Sequence, residues 1–183
     1  MPPTSSSTTN LSTNRSSRIK VFDLEFASDH YYIKRPRVVE QIQFDNRTFY
    51  AKFERIEEPL SPLLLSQHLH KQYTIAVPLV EDGKTHYLVL EYKGNEALQF
   101  AHLARHLFHT MQIETFYIYR GREPEKVQVF IPVSSMPLKE AESMLNVISE
   151  KLAMRLPKRW KTLPSTKLPD AYNIVTLPYA HIE

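Results

Sequence analysis

An α+β fold follows from three features of the 183-residue sequence. Residues 19–84 hold short apolar segments punctuated by turn residues, the signature of strands. From residue 85 the strand-like and helix-like periods follow in the order β-α-β-β-α-β. A hydrophobic content of 42% with 11% aromatics is enough to fill a core, which excludes wholesale disorder. The expected architecture is a ferredoxin-like or RRM-like βαββαβ core over residues 85–183, with an N-terminal β-rich extension over 19–84.

Residues 1–18 are rich in Ser, Thr, Pro and Asn, with only Leu11 to bury, and read as a disordered tail carrying Arg15 and Arg18. Ile19 to Phe26 reads as one strand and Tyr31 to Lys34 as another. Val39 to Phe44 and Arg47 to Phe53 flank Asp45-Asn46, whose side chains tolerate the left-handed conformation of a hairpin turn. Ser61-Pro62 opens a short helix over Leu63 to Lys71. Tyr73 to Val80 is a strand, and Glu81-Asp82-Gly83-Lys84 turns the chain into the next.

The core begins with a strand over Thr85 to Tyr92. Asn95 is placed to cap a helix that runs to Gln112, with Ala97, Phe100, Ala101, Ala104, Phe108 and Met111 on one stripe. Strands over Thr115 to Tyr119 and Lys126 to Val133 flank a turn. A second helix follows Pro137, with Leu138, Ala141, Leu145, Ile148 and Leu152 at helical spacing, and it ends before Pro157. The closing strand is expected at Asn173 to Leu177.

Alternation assigns the faces of the core sheet. Leu88, Leu90, Phe116, Ile118, Val127, Val129 and Ile131 point toward the helices; Tyr87, Val89, Glu91, Tyr117, Tyr119, Gln128 and Phe130 point away. Tyr87, Tyr117, Tyr119 and Phe130 could stack single-stranded bases. They are equally what a second layer would bury, and the β-rich segment ahead of them needs such a surface. The sequence favours core.

Charge points to a different segment. Residues 151–169 hold Lys151, Arg155, Lys158, Arg159 and Lys161 with no acid among them, and the only tryptophan, Trp160, sits inside the run. Cations beside an aromatic suit a nucleic acid or another anion. His102, His106 and His109 share a face of the first core helix, but Gln99 and Gln112 accompany them and Arg105 is adjacent, so they read as a solvated face and no metal site is expected. Zero cysteines exclude disulfides and thiolate chemistry, and three glycines leave no Gly-rich phosphate loop. No apolar run is long enough to span a membrane and no secretory signal opens the chain, so a cytoplasmic location is expected.

Asp29-His30-Tyr31-Tyr32-Ile33, Arg47-Thr48-Phe49-Tyr50 with Lys52-Phe53-Glu54-Arg55-Ile56, and Asn173-Ile174-Val175-Thr176-Leu177-Pro178-Tyr179 resemble a small uncharacterised epsilon-proteobacterial family defined as a domain of unknown function. The resemblance spans residues 22–180 and implies no activity. Leu88-Val89-Leu90-Glu91-Tyr92 and Lys126-Val127-Gln128-Val129-Phe130 also look like the first and third core strands of the archaeo-eukaryotic primase superfamily, whose centre carries a carboxylate pair on the first strand, a His on the third and a further carboxylate. Here Glu91 is the only first-strand acid, Gln128 stands in place of the His and Asp170 lies near the final region, so the resemblance implies a degenerate centre.

The resulting expectation is a non-enzymatic interaction or accessory module without a cofactor, whose ligand is a nucleic acid or another polyanion. The alternatives are a protein–protein interaction domain, as a homodimer or with another protein, and residual primase-like nucleotide binding or nucleotidyl transfer.

Overall fold

The computed structural model describes residues 16–182, so nearly all of the expected tail lies outside the described residues. Among the described residues the fold is mixed α+β, with three α-helices and mostly antiparallel sheets. Strands β1 (Arg18–Val21) and β2 (Leu24–Ala27) form a hairpin, correcting the single strand expected there. The break falls at Phe22, whose φ is +53°. That unusual conformation for an aromatic residue stacks its ring on Tyr119, 5.4 Å between centroids, and lets Asp23 accept a hydrogen bond from the Tyr119 hydroxyl at 2.9 Å.

Strand β3 (Tyr31–Lys34) precedes the hairpin of β4 (Glu40–Phe44) and β5 (Arg47–Ala51). Asp45 and Asn46 turn it with φ of +48° and +57°, as their chemistry suggests. Strand β6 (Phe53–Ile56) leads to α1 (Pro62–Leu69), where the Ser61 hydroxyl caps the Leu64 amide. Then come β7 (Ile75–Pro78), β8 (Val80–Glu81) and β9 (Lys84–Lys93).

The second half comprises α2 (Ala97–Thr110), β10 (Tyr117–Arg120), β11 (Lys126–Pro137), α3 (Leu138–Ala153), β12 (Trp160–Leu163), a 3-10 turn (Asp170–Tyr172), β13 (Ile174–Thr176) and β14 (Ala180–His181). Glu96, not Asn95, occupies the N-cap of α2, and it makes no side-chain capping bond.

Two sheets hold most of these strands. The larger runs β12-β9-β11-β10-β14, with β8 also on β9; the smaller runs β13-β7-β3-β6. The expected closing strand is therefore corrected. Residues 174–176 pair with β7 in the smaller sheet, and Trp160–Leu163 takes the place beside β9, with Trp160 opposite Tyr92 and Leu163 opposite Val89. Within this segment Trp160 and Leu163 are buried while Lys161 is exposed, so burial and not length selects it as the strand.

Side chains leave the larger sheet in two directions, as alternation requires. Leu88, Leu90, Tyr92, Val127, Val129 and Ile131 pack with α2 and α3. Val89, Tyr119, Phe130 and Leu163 pack with the β1–β2 hairpin and the smaller sheet, through Leu24, Phe26, Ile75 and Val77. Each such buried aliphatic or aromatic side chain contributes about 1.5–3 kcal/mol, so this interlayer contact is a second core. Among the described residues no helix is long and apolar enough to cross a membrane.

Candidate functional site

The smaller sheet covers only part of the larger sheet's free face. At the covered end stand Val89, Phe130 and Leu163; two residues along each strand the chemistry changes. Lys161, Glu91 and Gln128 lie in one row, since Glu91 is the cross-strand partner of both others. The next row holds Lys93 and Lys126, which are partners, and Arg159, whose carbonyl accepts from the Lys93 amide. Across from these rows, Lys34, Phe53, Thr74 and Thr176 line the opposing wall. The result is a cleft of about 510 Å³ between the layers.

Its electrostatics are lopsided. Lys34, Lys93, Arg122, Lys126, Arg159 and Lys161 line it against two acids, Glu91 and Glu123. Glu123 is held by Lys126 at 2.9 Å, and that bond keeps its carboxyl below the usual range. Glu91 lies 3.6 Å from Lys161 Nζ; its side chain is 19% exposed, and burial pushes its carboxyl above the usual range against the pull of Lys161. Arg122 donates to Thr74 Oγ1 at 2.8 Å and to the Lys71 carbonyl at 3.0 Å, neutral partners that fix the guanidinium without cancelling its charge. Among the described residues, Lys34, Lys93, Arg122 and Arg159 make no ion pair with an acid. Such a recess attracts anions.

Gln128 is buried and donates through Nε2 to the Thr176 carbonyl at 2.7 Å, while its Oε1 has no partner. Beside the cleft, and sharing Lys34, Phe53, Glu91, Lys161 and Thr176 with it, opens a chamber of about 290 Å³ walled by Tyr50, Tyr172 and Ile174. Tyr172 is steadied by Phe49, whose ring centroid is 4.9 Å away.

The residues singled out in the sequence are distributed unevenly. Arg159 and Lys161 reach the cleft, whereas Lys151, Arg155 and Lys158 are exposed and do not line it. Trp160 is among the residues around the cleft, but it is buried, its ring tilted against Phe100, and its Nε1 donates to Ser149 Oγ at 2.9 Å, so the indole is committed to the core. The stacking face is corrected. Tyr119 and Phe130 are fully buried, and Tyr87 and Tyr117 are half-buried against the same interlayer core, so the four do not form an open platform. Glu91 and Gln128 are neighbours, but Asp170 sits exposed at the start of the 3-10 turn and does not line the cleft. His102, His106 and His109 are exposed on α2, and among the described residues no group of three or more His, Asp or Glu is placed to hold a metal ion.

Sequence reasoning passed over Lys34, Lys93, Arg122 and Lys126. Parity on the strands was available as a signal, because Glu91 and Lys93, and Lys126 and Gln128, must share a face. What parity lacks is the extent of the covering layer.

Residues 18–87 match the model of a domain of unknown function, DUF1882. The match is narrower than the 22–180 span of the resemblance, and it supplies Lys34, Phe53 and Thr74 of the cleft, while the larger sheet's cations lie beyond it. No curated protein matches this chain.

Proposed function

We propose that this chain is a non-catalytic module that binds single-stranded nucleic acid through the cleft between its two sheets. The observation that carries the reading is the set of six cations converging on a recess with two carboxylates, each of which stands beside a lysine. Phosphodiesters supply the regularly spaced negative charge such a recess attracts, and binding gains free energy from released counterions. A recess between two sheets, with an aromatic chamber alongside, suits a flexible single strand better than a rigid duplex. A binding role is favoured over nucleotidyl transfer because phosphoryl chemistry with two metal ions needs several converging carboxylates, and Asp170 is not among the residues around Glu91.

The larger sheet's order β12-β9-β11-β10, with α2 and α3 packed on one face, supports reading residues 84–163 as a ferredoxin-like unit whose fourth strand is β12.

The test is a fluorescence-anisotropy titration of a labelled oligonucleotide across a salt series. The logarithm of affinity should fall linearly with the logarithm of salt concentration. Lys93→Gln and Arg122→Gln should each flatten the slope by about 0.7. Lys151→Gln, outside the cleft, should change it far less. Affinity indifferent to salt, or equal effects of all three substitutions, would remove the cleft from the reading.

A further inference from the structure

The floor of the cleft places two hydrogen-bond acceptors on neighbouring strands, at Glu91 and Gln128. Gln128 Nε2 is committed to Thr176, which leaves Oε1 buried and unpartnered on a residue that lines the cleft. Its cross-strand neighbour is Glu91, and such neighbours have Cβ atoms about 4.5–5.5 Å apart. A buried acceptor left empty is costly, so the pair is matched to a ligand bearing hydrogens. The donor cannot be a cation, because Lys126 and Lys161 flank the site and would repel it. A hydroxyl offers one hydrogen. An exocyclic amino group offers two and is neutral.

Glu91 also stands at the junction with the side chamber, whose walls include Tyr50, Phe53 and Tyr172. A planar base in that chamber can stack on an aromatic ring while its edge faces Glu91. We infer that the junction of cleft and chamber selects an amino-bearing nucleobase on the bound strand, the amino group donating to Glu91 and Gln128 Oε1. This rests on the nucleic-acid reading of the cleft. Cytosine satisfies the arrangement. Uracil, with the same ring and a carbonyl oxygen in place of the amino group, turns lone pairs toward two acceptors.

The experiment measures binding of short oligo(dC) and oligo(dU), and of their ribose counterparts, to the full chain at two salt concentrations, for the unsubstituted protein, Glu91→Gln and Tyr50→Ser. Oligo(dC) should bind about tenfold tighter than oligo(dU). Glu91→Gln, which keeps the side-chain shape and adds a donor, should bring the two together. Tyr50 is 60% exposed, so Tyr50→Ser leaves the core intact; it should weaken both oligonucleotides alike. Equal, salt-sensitive affinity for both in the unsubstituted protein would overturn the inference and leave the cleft reading standing. A C-over-U preference that survives Glu91→Gln would overturn it too, as would a preference for ribose over deoxyribose with no base discrimination. Failure of both oligonucleotides to bind overturns both readings.

Discussion

Two halves of one sheet face behave as different materials. On β9 and β11, Val89 and Phe130 are fully buried beneath the smaller sheet, whereas Glu91, Lys93 and Lys126, two to four residues along the same strands, face an open cleft. Backbone geometry is the same on both sides of the boundary, with regular antiparallel pairing from Lys126–Lys93 to Pro132–Tyr87. The difference lies in what the second layer can cover. Where apolar side chains project, the N-terminal strands close over them; where cations project, desolvation is too costly and the layers part. A single face thus supplies both the interlayer core and the proposed binding surface.

Substitution across the boundary separates the two halves most sharply. Phe130 packs among Phe26, Tyr87 and Tyr119, at centroid distances of 6.1, 6.0 and 5.9 Å. Phe130→Ala should lower unfolding stability by about 3–5 kcal/mol, through lost burial and the cavity left behind. Lys93→Gln should change it by about 0.5 kcal/mol or less. Urea denaturation followed by circular dichroism measures both. Comparable losses would mean that the cleft cations are structural, and the contrast would collapse.

A second comparison sets the cleft's titrating groups against His68, a buried histidine of the covering layer. His68 Nε2 donates to the Leu177 carbonyl at 2.9 Å, Nδ1 accepts from the Ile75 amide at 3.0 Å, and Tyr179 stacks on the ring at 4.0 Å. The neutral ring is thereby satisfied at both nitrogens, tying α1 to β7 and to the segment after β13. Burial pushes its pKa down to about 4. The unfolded chain then binds a proton near pH 6.5 that the folded chain refuses until about pH 4. Stability from this group is fully present above the first value and lost as pH falls through the window, by about 3 kcal/mol in total. His68→Gln should flatten that part of the profile. An unchanged pH dependence in the variant would assign the acid sensitivity to other groups.

Much of the covered half was legible in the sequence, and little of the open half was. Periodicity places α2 and α3 and divides Leu88 and Leu90 from Val89 because a helix or strand of that amphipathicity has one way to face a core. Asp45-Asn46 marks its turn through local chemistry alone. Phe22 does not, since an aromatic residue at positive φ is held there by Tyr119, 97 positions away. Trp160–Leu163 was equally opaque: the burial that makes it the strand beside β9 comes from neighbours distant in sequence. The cleft combines Lys34, Arg122 and Arg159 from three separate connections and strand ends, and no local pattern announces that meeting. A basic run drew attention to residues 151–169, yet only the part that enters β12 and the turn before it reaches the site.

Glu91 gives the smallest effect and the finest test of how the open half is built. Its carboxyl is held above the usual range by burial, with Lys161 opposing. Folding therefore favours the protonated form, so between the ordinary carboxylate pKa and the raised one the folded chain binds more protons than the unfolded chain. Stability must fall as pH rises through that interval. At neutral pH the ionised group is a burden that Lys161, 66% exposed on its side chain, offsets only weakly. Glu91→Gln should accordingly be as stable as the unsubstituted protein at pH 7, or more stable by about 1 kcal/mol or less, and the two should converge at acid pH where both side chains are neutral. Thermal unfolding at several pH values reads this directly. A clear loss of stability at pH 7 would make the Lys161 pair structural. Retained stability, together with an altered oligonucleotide preference, would mean that a charge unfavourable to the fold is kept at this position for what it binds.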